Sequence, residues 1–247
     1  MFPFVRTAPV RTFRKESRGC ADLVVASLDP YWDFGKEAIA ALCAALPAPR
    51  FSPGQHGLTV SVATQAGLLD LACTRVSPGE LRFAREYLSY GRAGNLMRPV
   101  ARQSGFVLRY TGLFVSADGS EALVSRDFDA VMEFLGYRIT PWRRGFDTQD
   151  ELFCFLGGHD LFETRPFAPH AVIPPSQGLR TTYGEAFAGW LEDRALVFCP
   201  DSRAAEALRS SALARACDAF PGFARRRGLH EALSTGTPAR AQPPEPA

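Results

Sequence analysis

The chain reads as α+β: a mainly antiparallel β-barrel of about eight or more strands, with a helix near the N-terminus, a short central helix and a closing C-terminal helix. Three observations predict it. Between Leu58 and Phe167, short segments alternate apolar and polar side chains, the period of a half-buried strand. Gly-containing turns punctuate that run at Ala66-Gly67, Asp118-Gly119 and Gly157-Gly158. Helical spacing of apolar residues occurs before the run, once inside it and once after it.

Asp22 to Leu28 alternates and stops at Asp29-Pro30, so it predicts a short strand. Asp33 is placed to cap a helix whose Ile39, Leu42, Cys43 and Leu46 share one face, and Pro47 ends it. The period then changes to two. Leu58, Val60 and Val62 form one apolar set and Leu69, Leu71 and Cys73 another, which predicts a hairpin turning at Ala66-Gly67. Phe106, Leu108 and Tyr110 alternate in a strand through Thr111, and Ala117-Asp118-Gly119 turns the chain into Ala122 to Arg126.

Phe128, Val131, Met132 and Leu135 have helical spacing, Asp127 can cap the helix start, and Gly136 can end it. The aromatic-rich segments Tyr137 to Trp142, Glu151 to Leu156 and Leu161 to Phe167 are predicted as strands, with a turn at Gly157-Gly158-His159-Asp160. A last strand, Arg194 to Cys199, ends at Pro200. Asp201 or Ser202 then caps a closing helix with a narrow face of Ala205, Leu208, Ala212 and Ala216. Pro78 to Gly94 fits either a helix or an extended excursion, and Pro174-Pro175 marks Ala168 to Gly189 as a long loop.

These elements divide the chain into a basic flexible arm (1–19), a single barrel domain (20–222) and a disordered tail (223–247). The arm carries Arg6, Arg11, Arg14, Lys15 and Arg18 against Glu16 alone. An organelle transit segment would share that charge pattern, but Pro3 and Pro9 interrupt an amphipathic helix. The tail beyond Ser234 lacks the large apolar residues that would offset the entropy of ordering.

Composition sets outer limits on function. The 247 residues carry a net charge of +2, too small to argue for a nucleic-acid partner without a clustered basic face. No apolar run approaches the roughly 20 residues of a membrane-spanning helix. The six cysteines are widely spaced without a C-x-x-C pair, which fits reduced thiols better than a zinc site or disulfide framework.

A metal-dependent phosphate site on a strand would show acids at i and i+2, which share a face. Asp22 stands alone on the first strand, Glu192 and Asp193 are adjacent, and Glu163 is followed at i+2 by Arg165. Asp127 and Asp129 are the nearest pair, and their place at a helix start makes a cap and a favourable dipole contact the better account. No catalytic residue, cofactor or metal site is therefore expected. Trp142, Arg143, Arg144 and Trp190 remain as candidates for a partner contact, because Trp and Arg are enriched among interface anchors. The competing reading of Trp142-Arg143-Arg144 is a loop with two solvated arginines and a half-buried Trp.

The order of segments resembles Mediator complex subunit 18, the barrel subunit of the Mediator head module. The resemblance is carried by Asp22-Leu-Val-Val-Ala-Ser27, the hairpin from Leu58 to Val76, and Val107-Leu-Arg-Tyr-Thr-Gly112. Ala122-Leu-Val-Ser-Arg126, Glu133-Phe-Leu-Gly-Tyr-Arg138 and Leu196-Val-Phe-Cys-Pro200 continue it. It implies a noncatalytic scaffold in RNA polymerase II transcription regulation, located in the nucleus. The implied partners are Mediator subunit 20, a C-terminal helix of Mediator subunit 8, and RNA polymerase II through the assembled complex. The alternative is a divergent triphosphate-tunnel phosphohydrolase or nucleotide-binding barrel, motivated by Arg75, Arg109, Arg126 and Arg138 spread over several strands.

Overall fold

The computed structural model describes residues 5–12, 20–27, 49–54, 57–64, 67–117, 119–161, 189–190 and 202–234. Strands β1 (Val5–Pro9), β2 (Cys20–Ser27), β3 (Arg50–Gly54), β4 (Gly57–Thr64) and β5 (Gly67–Val76) form one sheet in the order β1-β2-β5-β4-β3. Strands β6 (Phe106–Arg109), β7 (Gly112–Ala117) and β8 (Ser120–Ser125) form a second sheet in chain order. Between and after them lie helices α1 (Leu81–Arg92), α2 (Gly94–Gln103), α3 (Phe128–Phe134), α4 (Ile139–Arg144) and α5 (Gln149–Gly157). Helices α6 (Ser202–Ser210), α7 (Ala212–Ala219) and α8 (Pro221–Ser234) complete the described residues.

The two sheets do not close into a barrel, which corrects the predicted architecture. Among the described residues each keeps two edges, β1 and β3 in the larger and β6 and β8 in the smaller. The run from Leu58 is interrupted by helix over most of Leu81–Gln103 and Phe128–Gly157. Tyr137–Trp142 and Glu151–Leu156, expected as strands, fall largely in α4 and α5. Their aromatic content suggested strand, but tertiary packing and capping override that preference. In α5, Thr148 Oγ1 accepts from the Glu151 N–H at 3.3 Å, and Glu151 Oε2 accepts from the Asp147 N–H at 2.9 Å. That reciprocal pattern starts a helix, and Gly157-Gly158 ends it instead of joining strands.

Other expectations survive in part. The first strand is β2, and its neighbour on one side is β5, paired parallel with Leu23 opposite Cys73. The hairpin from Leu58 is β4–β5; its two apolar sets lie directly opposite one another, Leu58 on Cys73, Val60 on Leu71 and Val62 on Leu69. The Asp118-Gly119 hairpin is β7–β8, with Gly119 at φ +79°. A tighter turn at Tyr110-Thr111, with Arg109 opposite Gly112, splits the strand expected through Thr111. The central helix is α3; Asp127 Oδ1 accepts from the Asp129 and Ala130 N–H groups, and Gly136 takes φ +93° just beyond it. Asp127→Ala is expected to cost about 1 kcal/mol in chemical denaturation, the ordinary value of an N-cap.

The stretch left open between helix and extended chain is α1, entered through Ser77 and Glu80. The single closing helix is three helices, but its alanine face holds: Ala205, Ala212 and Ala216 are buried. Residues 223–234, expected in the tail, lie in α8, with Phe223 buried. In the arm, β1 pairs antiparallel with β2. The helix from Asp33, the strands after Leu161 and at Arg194 to Cys199, and the long loop lie outside the described residues apart from Gly189.

Two cores result. The larger joins Val24, Ala26 and Val76 on one face of the five-stranded sheet to α1–α5, α7, α8 and the three-stranded sheet. The smaller collects Val25, Leu58, Val60, Val62 and Cys73 on the opposite face. At the α1–α2 junction the backbone approaches closely: a Cβ on Gly94 would lie 2.3 Å from the Tyr87 ring. Gly94→Ala is therefore expected to displace Tyr87 from its 2.7 Å hydrogen bond to Asn95 Oδ1, lowering the unfolding free energy by about 1–3 kcal/mol.

Candidate functional site

The most connected polar group in the larger core is Glu86, whose side chain is 0% exposed on α1. Its Oε2 accepts from Trp142 Nε1 at 3.0 Å. Its Oε1 accepts from Arg143 Nη1 at 3.0 Å and from Arg85, and Arg11 Nη2 lies 3.7 Å away. Burial by itself would push this carboxyl up; the hydrogen bonds from Arg85 and Trp142 and the charges of Arg11 and Arg143 outweigh it and hold it below the ordinary carboxylate range. Arg143 also grips both oxygens of Asp129, and despite its partial burial these two acids hold its proton more tightly than usual. Trp142 Nε1, Arg143 and one nitrogen of Arg85 are thus spent on carboxylates inside the fold, while the buried Arg85 Nε has no hydrogen-bond partner among the described residues. This is a structural node.

The node decides the fate of the expected contact residues. Trp142 is fully buried, and Arg143 is committed to Glu86 and Asp129. The Arg143 side chain keeps 29% exposure beside these pairings. Arg144 is exposed and lines a cleft of about 490 Å³ together with Tyr137, Arg138, Phe146, Asp150 and Phe155. Trp190 packs on Phe153 and donates from Nε1 to Asp150 Oδ1 at 2.7 Å, so the fold brings it beside that cleft. His159, also on the cleft, accepts from the Leu161 N–H at Nδ1, which leaves Nε2–H to donate to the Leu135 carbonyl at 2.7 Å. Burial lowers its pKa.

Asp127 caps α3 and Asp129 serves Arg143, so both acids of the nearest sequence pair are structural. A different pair emerges from strand register. In the parallel β2–β5 ladder Asp22 lies opposite Ala72 and Asp70 opposite Cys20, which places both aspartates on one sheet face, diagonal to each other on adjacent strands. Alternation carries that face across the sheet. Ser61 and Thr59 of β4 and Arg50 and Ser52 of β3 share it.

This face is divided. Toward the C-terminal ends of β2 and β5 it is apolar and covered, with Val24, Ala26, Thr74 and Val76 buried. Toward their N-terminal ends it is polar, and Asp22, Asp70, Ser61, Thr59, Arg50 and Ser52 are all half-buried or exposed. Ser61 Oγ donates to Asp70 Oδ1 at 2.5 Å, fixing one carboxylate. Diagonal neighbours in a sheet stand about 7–8 Å apart at Cα, close enough for both carboxylates to close on one cation. Magnesium is held in this way, by one or two carboxylates with the remaining positions filled by water and phosphate oxygens.

A search for acids at i and i+2 on one strand could not find Asp22 and Asp70, because their proximity depends on which strands pair. One clue was present: each acid borders or interrupts an apolar strand, in Asp22-Leu-Val-Val and Leu68-Leu-Asp70-Leu. No group of three or more His, Cys, Asp or Glu suited to a metal occurs among the described residues, so a cation held by the pair would need further oxygen ligands from elsewhere.

Fold and site together define an α+β chain with two open sheets and a half-covered sheet face bearing two acids. In comparison with known proteins, the chain matches no protein-family model and no curated protein.

Proposed function

We propose that the open polar half of the five-stranded sheet binds a phosphate-bearing ligand through a divalent cation held by Asp22 and Asp70. The observation that supports this reading is the placement of these two half-buried aspartates on one face of adjacent parallel strands. The carboxylates supply hard oxygen ligands, the phosphate completes the coordination, and the hydroxyls of Ser61 and Thr59 and the Arg50 cation flank it. This keeps the phosphate chemistry of the alternative sequence reading and replaces its acids, Asp127 and Asp129, with Asp22 and Asp70. The Mediator reading, carried by the order of segments, implied a barrel, which the two sheets do not form.

Manganese binding, followed by water-proton relaxation with and without inorganic tripolyphosphate, tests the proposal. Binding is expected to tighten when tripolyphosphate is present, and Asp22→Asn or Asp70→Asn is expected to weaken it at least about tenfold. Glu133→Gln, at an exposed position on α3, is the control and should bind as the parent does. Binding indifferent to both aspartate substitutions would overturn the assignment.

A further inference from the structure

Arg11, in the N-terminal segment, clamps a stretch of positive φ that is rare for non-glycine residues. The Arg11 N–H donates to Ser89 Oγ at 3.0 Å and its carbonyl accepts the Tyr90 N–H at 2.8 Å. Its guanidinium donates from Nη1 to the Trp142 carbonyl at 2.8 Å. The residues beside this clamp, Tyr90, Gly91 and Arg92, have φ of 53°, 68° and 67°. Side chains of L-residues disfavour that conformation and keep it where surrounding structure imposes it. Ser89 contributes by donating its hydroxyl to the Arg85 carbonyl at 2.8 Å while its own backbone leaves the helix at ψ 155°.

We propose that residues 5–12 form an intramolecular strap whose docking sets the left-handed turn Tyr90–Arg92, so that strap and turn switch together. Among the described residues the strap pairs with β2 alone, at the edge of the described sheet, and its last contact with β2 is the Val10 N–H to the Asp22 carbonyl at 3.1 Å. It therefore runs along β2 from Ser27 to Asp22 and on to the junction of α1 and α2. An edge segment held on one side is the kind of unit that opens locally while the rest of the fold stays closed. When it leaves, Ser89 and Tyr90 lose their Arg11 partners, and the turn is free to relax toward ordinary φ. The inference stands on these contacts and does not require the cation site.

Hydrogen exchange of the full chain, read by mass spectrometry, tests the coupling. Arg11→Ala and Val10→Pro should each raise exchange across residues 89–95 about tenfold or more while β6–β8 is unchanged. Val10→Pro removes the N–H given to Asp22 without touching the Glu86 node. Adding Arg92→Gly to Arg11→Ala should restore much of the protection, because glycine adopts positive φ without an external clamp. Unchanged exchange at 89–95 in both single variants would overturn the proposal. So would a uniform rise across β6–β8, or failure of Arg92→Gly to restore protection.

Discussion

Trp142→Ala is expected to remove about 3–5 kcal/mol of unfolding free energy, the ordinary cost of truncating a buried aromatic to alanine. The indole has no solvent exposure and sits among four rings, with centroids 5.4 Å from Tyr90, 5.3 Å from Phe128, 6.0 Å from Phe146 and 6.3 Å from Phe155. Those rings belong to four different parts of the chain, so they cannot collapse together onto the space left behind. The substitution also strips one donor from the buried Glu86 carboxylate. Against a typical domain stability of about 5–15 kcal/mol, the loss is large enough to move the denaturation midpoint clearly. Trp142→Phe separates the two effects, keeping most of the volume and losing only the N–H. A loss below about 1 kcal/mol for Trp142→Ala would contradict the packing described.

Glu86→Ala is the second large effect. Removing one partner of a buried ion pair costs about 3–5 kcal/mol where the remaining charge is fully buried. Here the arginines that remain, Arg11, Arg85 and Arg143, are 29%, 34% and 29% exposed. Water can screen them in part, so the expected loss is about 3 kcal/mol, at the lower end of that range. Glu86→Gln should cost less, because the amide oxygen still accepts from a donor while the charge is gone.

The same carboxylate makes stability depend on pH. Its folded pKa lies below its unfolded value, so its contribution is fully present above the unfolded glutamate pKa and is lost as pH falls through the lower folded value. Denaturation midpoints measured between pH 7 and pH 3 should fall on acidification, and fall less steeply in Glu86→Gln. An equal slope in both proteins would remove Glu86 as the cause.

Much of the local structure was legible in the residues. The Asp127 cap, the positive φ at Gly136 and Gly119, and the β4–β5 hairpin follow from side-chain chemistry within a few positions. The helix at α5 had a readable start in Thr148-x-x-Glu151, and the aromatic run after it was the more persuasive and misleading pattern. Aromatic and β-branched enrichment reports a half-buried surface, and a helix packed into a core offers one as readily as a strand. Trp142-Arg143-Arg144 looked like a loop anchor because tryptophan beside arginine is common at interfaces. Its actual partner, Glu86, lies 56 positions away in sequence.

What the sequence determined by itself is a chain with two kinds of periodicity, short turns and an internal set of structural acids, because capping, turn geometry and alternation act over a few residues. What the tertiary structure alone decided is which strands are neighbours and which charges meet. The parallel alignment of β2 with β5 puts Asp22 and Asp70 on one open face, and the packing of α1 against α4 buries Glu86 under Trp142 and Arg143. Neither outcome has a local signature, since each depends on burying apolar faces contributed by distant segments and on pairing the polar groups that burial carries inward.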